Sequence, residues 1–174
     1  MIKNKKGQVW VETVIYTMIA FALIAAVLAF VKPEIDKLQD KAIIEQSITL
    51  MKSFDSTIKE IIQGGEGNKR ILETTIKEGS LTIDSSNDKI IFEMESDYVY
   101  SEIGADINEG NLVIRTEEIG ARNIVTISRV YEDYNITFNL QEQSKTLTKA
   151  GTSYKVSLTN EGKNGKWDVN IELI

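Results

Sequence analysis

Lys5-Lys6-Gly7-Gln8-Val9-Trp10-Val11-Glu12 opens directly onto nineteen residues without a charge, Thr13 to Val31: TVIYTMIAFALIAAVLAFV. As a helix rising about 1.5 Å per residue, that run covers roughly 28 Å, close to the thickness of a bilayer's hydrocarbon layer. One carboxylate, Glu12, stands at its leading edge. An acid beside a membrane-length apolar helix is costly in lipid unless it reaches the headgroups or finds a positive partner. Lys3, Lys5 and Lys6 precede the run, which predicts that this end stays in the cytoplasm and the bulk of the chain lies outside. An ordinary secretory signal has a shorter apolar core and ends in a small-x-small cleavage site. This run continues to Leu28-Ala29-Phe30-Val31-Lys32-Pro33, where no such site is found.

Beyond the run the pattern turns amphipathic. Ile35, Leu38, Ala42, Ile44, Ile48, Met51, Phe54, Ile58 and Ile62 recur at steps of three and four. Glu34, Asp36, Lys37, Asp40, Lys41, Lys52, Asp55, Lys59 and Glu60 mostly fall off that stripe. The spacing predicts one helix over 8–63, apolar over 8–32 and amphipathic over 33–63. Pro33 either kinks it or begins a second segment. Gly64-Gly65-Glu66-Gly67-Asn68 ends it. Two partners suit the amphipathic stripe, the sheet of its own domain or other subunits, and both apply if different parts of the helix are used.

From residue 68 to 174 the period changes to two. Strands are expected at Leu81–Ile83, Lys89–Met94, Asn111–Arg115, Asn123–Ser128, Tyr134–Leu140, Ser153–Leu158 and Lys166–Leu173, with Arg70–Ile76 as a further one. Turn signals separate them at Ser85–Asp88, Asn108–Gly110, Glu118–Gly120 and Gly162–Gly165. The fold class is therefore α+β: a long N-terminal helix, then an antiparallel β-rich head with roughly seven or eight strands, as a sheet, sandwich or open barrel. The head, from Gly67 on, folds either alone or with part of the helix.

Composition narrows the chemistry. The net charge is −6, and without the three lysines ahead of Gly7 it is −9. Such a surface repels nucleic acid. The chain has no cysteine and no histidine, so thiol chemistry, disulfides and the commonest general base and metal ligand are missing. No catalytic constellation stands out, and neither an enzyme, a cofactor nor a metal site is expected. Asp97, Glu102, Asp106 and Glu109 lack the order of a calcium-binding loop and read as solvated acids. Gly64-Gly65-Glu66-Gly67 follows a helix and precedes no Gly-Lys-Ser/Thr, so it is no phosphate loop. Trp167, Tyr98, Tyr100, Tyr131 and Tyr134 are able to stack on sugars or partner surfaces, although in strands such residues are more often half-buried core. Asn135-Ile136-Thr137 is a glycosylation sequon placed in a strand.

Glu12 has two readings. It either snorkels to the headgroups or pairs with a cation in the same layer. Cleavage after Gly7 supplies such a cation, the new α-amino group of Gln8, four residues before Glu12. Within one helix the two face alike; between staggered helices they pair across subunits and fix the register.

Lys6-Gly7, Gln8-Val9-Trp10-Val11-Glu12 and the apolar helix together resemble the class III signal sequence of archaeal type IV pilins, and more loosely bacterial prepilins and pseudopilins. The resemblance implies that a membrane prepilin peptidase cuts between Gly7 and Gln8, removing residues 1–7 as a leader. It implies that Glu12 guides assembly, and that Val9 to Val31 anchors the subunit in the membrane before it becomes filament core. Trp10 departs from the pattern, being bulkier than the small residue expected there. Archaeal flagellins share the signal but usually lack the acid, so Glu12 favours a pilin.

The function expected is therefore a structural subunit of a type IV pilus-like filament, membrane-bound as precursor and on the cell surface once assembled. Its partners are copies of itself, the membrane and the peptidase. A minor pilin or pseudopilin, and a single-pass anchored extracytoplasmic binding domain, are the alternatives.

Overall fold

A computed structural model describes residues 5–120 and 122–174, with the backbone alone for residues 5–8. Helix α1 runs from Lys5 to Gln63 and takes in Pro33, whose ring leaves the Ala29 carbonyl without its usual intrahelical donor. The chain forms two compact units, one ending at Gln39 and the other Asp40–Ile174. The first is helix throughout its described length.

The second unit begins with the rest of α1. Its sequence places Ile44, Ile48, Met51, Phe54, Ile58 and Ile61 at steps of three and four, and all six are buried. Among the described residues ten strands follow: β1 (Lys69–Thr74), β2 (Ser80–Asp84), β3 (Lys89–Ser96), β4 (Asp106–Glu109), β5 (Leu112–Ile119), β6 (Arg122–Val130), β7 (Tyr134–Phe138), β8 (Lys145–Thr148), β9 (Tyr154–Asn164) and β10 (Lys166–Leu173). They form two sheets, a four-stranded one in the order β1-β9-β10-β7 and a six-stranded one in the order β4-β5-β6-β3-β2-β8. Among the described residues these strands pair antiparallel, except β10 with β7, which pair parallel.

Alternation along the strands builds the core. Leu81 and Ile83, Ile90, Phe92 and Met94, Leu112 and Ile114, Val125 and Ile127, and Leu147 point inward from the larger sheet. Ile136 and Phe138, Val156 and Leu158, and Val169 and Ile171 do so from the smaller one. With the helix residues they make one contiguous cluster. Each fully buried apolar side chain contributes on the order of 2 kcal/mol, so the six from the helix are a large part of the head's stability. The amphipathic stripe thus meets its own domain from Ile44 on, whereas Ile35 and Leu38 remain 46% and 66% exposed. Ile62, placed on the stripe by its spacing, is only half-buried, and Ile61 takes the core position.

The helix end is tied to the smaller sheet. Gly64 N–H donates to Glu60 O, and Gly65 follows with φ +87°, a left-handed conformation that stops the helix. Asn160 in β9 then donates from Nδ2 to Ile61 O, while its backbone exchanges bonds with Gly67 and Asn68. A side chain thus satisfies a terminal carbonyl that the helix itself leaves open.

The α+β order, helix first and β-rich head after it, is as the sequence leads one to expect. Two strands are additional: β4 (Asp-Ile-Asn-Glu) and β8 (Lys-Thr-Leu-Thr) have four residues each and carry too little alternation to register. Both lie at the edges of the larger sheet, where short polar strands deter unwanted pairing.

Two outcomes follow from the helix being part of the core. A protein beginning at Asp40 gives a cooperative thermal transition, whereas one beginning at Gly67 shows none by near-ultraviolet circular dichroism. In the full chain Phe54→Ala lowers stability by about 3–5 kcal/mol in denaturant titration; a loss under about 1 kcal/mol would contradict this packing.

Candidate assembly interface

The apolar run of the first unit is exposed along its described length. None of the membrane-length apolar window of α1 is buried. Trp10 is 71% exposed and Phe30 79%, against 0% for Phe54 further along the same helix. Such a surface needs lipid or other protein around it. The helix is thus compatible with membrane anchoring, and together with the β-rich domain it gives an architecture consistent with that of pilin-like subunits.

Glu12 is exposed, and its neighbours are arranged by helix geometry. Residues four apart lie one above the other, which brings the Tyr16 hydroxyl to 3.4 Å from Glu12 Oε1, where it donates a weak hydrogen bond. Thr13 and Thr17 donate to the carbonyls of Val9 and Thr13 at 2.9 and 2.8 Å. Their hydroxyls are thereby hidden from an apolar surrounding. Glu12 is left with one neutral donor and no cation of its own among the described residues. The sequence reading overlooked Tyr16 as its partner, although the i, i+4 spacing was there to see. Ala22, Ala25, Ala26 and Ala29 share another face of the helix, at the spacing that lets two helices approach closely. Gly7 and Gln8 lie in the first turns of α1, with the Gln8 side chain outside the described residues, as are Met1 to Asn4 of the expected leader.

The second unit holds a charged site that the sequence reading misplaced. Asp55, assigned to the solvent side of the stripe, is buried at 7% exposure. Its Oδ1 accepts from Arg129 Nε at 2.8 Å, and its Oδ2 accepts from Lys59 Nζ at 2.6 Å and Asn111 Nδ2 at 3.1 Å. Three donors from α1, β6 and the β4–β5 turn make the burial tolerable. Burial pushes the Asp55 carboxyl up, but the bonds from Arg129, Lys59 and Asn111 outweigh it and hold the group below its ordinary value. Arg129 also lies over the Tyr131 ring, 4.8 Å from its centroid. Burial, reinforced by the negative Asp55, pushes the Tyr131 hydroxyl well above its ordinary value despite Arg129, so the phenol stays neutral. Only pairing across the fold reveals the site; Asp55 is 74 residues from Arg129.

The remaining sequence candidates disperse. Asp106, now in a strand, pairs with Arg115 at 3.1 Å and Glu109 with Lys52 at 2.6 Å. Asp97 lies 3.9 Å from Arg122, and its backbone N–H donates to Asp40 at 2.6 Å. Among the described residues no group of three acids is placed to hold a metal ion. Tyr131 is core, Tyr98 and Tyr100 pack edge-to-face at its margin, and Tyr134 and Trp167 stand side by side in register on β7 and β10. Asn135 is half-buried and its Nδ2 donates to Asp168 at 2.8 Å.

No protein-family model, no curated protein and no solved structure matches this chain. The case for function therefore stands on residues and geometry.

The depressed Asp55 carboxyl contributes stability that is fully present above its ordinary value of 3.8 and is lost as the pH falls through the lower folded value. Asp55→Ala, which strands Arg129, is expected to cost about 2–3 kcal/mol at pH 7. The difference in melting temperature between wild type and Asp55→Asn narrows from pH 7 to pH 3; a constant difference across that range would remove the electrostatic account.

Proposed function

We propose that the chain is the structural subunit of a type IV pilus-like extracellular filament, of archaeal pilin type, made as a membrane-anchored precursor. One observation carries the reading: the helix that completes the head's core continues N-terminally into an exposed apolar run with one acid, Glu12, at its leading edge. A head already closed around Ile44–Ile61 needs nothing from Val9–Val31, so that surface is available for lipid first and for copies of itself later.

In this reading the mechanism is assembly. A prepilin peptidase cuts after Gly7, and the Gln8 amine becomes the cation that Glu12 lacks. In a low-dielectric bundle an amine–carboxylate pair between neighbouring helices is favoured over two separately buried charges, which fixes axial register. The apolar helix loses little on leaving lipid, because its neighbours are equally apolar. The small faces at Ala22, Ala25, Ala26 and Ala29 allow close approach. A repeated head-to-tail contact gives an open helical filament.

N-terminal sequencing of the protein from native membranes is expected to read Gln8 as the first residue. An intact lysine-bearing end would instead support a single-pass anchored binding domain. Abundance in sheared surface fractions separates a major subunit from a minor pilin or pseudopilin. Gly7→Phe blocks processing but leaves membrane insertion intact. Glu12→Ala is processed normally but lowers filament yield by about tenfold or more, and normal filaments from that variant would end its register role.

A further inference from the structure

Trp167, Tyr134, Glu132, Asp133, Lys163 and Lys166 meet in a solvent-open cleft of about 330 Å³, between the turn after β6 and the β9–β10 hairpin. The size is that of a small-ligand site. Its walls are fixed by the backbone: Trp167 N–H donates to Asp133 O at 3.2 Å, and Tyr134 N–H to Tyr131 O at 3.4 Å. Tyr134 and Trp167 are register partners in the parallel β7–β10 pair, so two half-buried aromatic side chains are held next to each other. Tyr134 also packs against the buried cluster, its ring centroid 5.8 Å from that of Tyr131, whereas Trp167 is not part of that cluster.

The charges around the rings are nearly balanced. Lys166 is held by Asp88 at 2.9 Å, and Lys163 lies over the Trp167 ring, 5.4 Å from its centroid. Glu132 and Asp133 are exposed and, among the described residues, accept no side-chain hydrogen bond and join no ion pair. With Lys166 matched by Asp88, Lys163 faces Glu132 and Asp133, and this small net negative charge disfavours an anionic ligand. The cation already over Trp167 further disfavours a second one there. An aromatic surface flanked by unoccupied acceptors suits a molecule with an apolar C–H face and hydroxyl groups along its edge.

We propose that this cleft binds a neutral saccharide, whose ring face stacks on Trp167 and Tyr134 while its hydroxyls donate to Glu132 and Asp133. Lys163 is displaced from the indole when the sugar enters. The site does not depend on the filament reading, since it lies wholly within the Asp40–Ile174 unit.

The test uses the full-length protein in a polyoxyethylene detergent, which has no sugar headgroup. Trp10→Phe leaves Trp167 as the only indole. Methyl α-D-mannoside, methyl β-D-glucoside and N-acetylglucosamine are titrated separately, with tetramethylammonium and inorganic phosphate as charged probes. At least one saccharide is expected to shift Trp167 emission saturably, with half-saturation at about 1–10 mM. Glu132→Gln with Asp133→Asn, both exposed and harmless to folding, weakens that binding about tenfold. Saturation-transfer NMR, which needs no indole, shows loss of binding in Trp167→Ala. The proposal is overturned if no saccharide binds below about 100 mM. It is equally overturned if a charged probe binds in place of the sugars, or if sugar binding survives both the carboxylate pair and the Trp167 substitution.

Discussion

The contact between Ile44–Ile61 of α1 and the two sheets is the one on which everything else rests. It makes one helix serve two environments. Past Asp40 the helix is core, with side chains such as Phe54 and Ile58 fully buried. Before Gln39 the same backbone conformation presents Trp10, Phe21 and Phe30 outward. The head is therefore complete without the apolar segment, and the apolar segment is joined to it by continuous helix. Asp55 strengthens that contact with an ion pair to β6, and Asn160 fastens its last turn to β9. Each of these ties reaches across the fold from α1 to a strand, so helix and sheets hold together as one cooperative body.

Much of this was legible in the sequence because its periodicities are unmixed. Nineteen uncharged residues, a three-and-four stripe, then alternation at period two each name an element without help from tertiary context. The glycine cluster after Gln63 marked the helix end for the same reason. What escaped were features whose meaning lies in pairing. Asp55 is an ordinary acid until Arg129 arrives from β6 and Asn111 from the β4–β5 turn. Edge strands β4 and β8 are set by their neighbours' open hydrogen bonds more than by their own residues. The parallel β7–β10 pair is likewise invisible to local pattern, since nothing in Tyr134–Phe138 specifies direction.

Along the apolar part of α1 the balance was similar. Glu12 and its apolar flank are local features and were found; the Tyr16 hydroxyl that leans on Glu12 is one helical turn away and was passed over. That hydroxyl gives the carboxylate a neutral donor, and among the described residues no cation reaches it. In an apolar surrounding an acid held in this way remains ready for a stronger partner.

The strand order has a consequence for how the head is made. The smaller sheet is arranged β1-β9-β10-β7, so its two inner strands come from residues 154–173, and β1 and β7 hydrogen-bond within that sheet only to them. A chain delivered from its N-terminus onward offers both outer strands long before the inner ones. β1 waits about eighty residues for β9, and the sheet closes only when Lys166–Leu173 slots between β9 and β7. Such a domain stays loose until β10 is in place, so the four strands become rigid together and late rather than one after another.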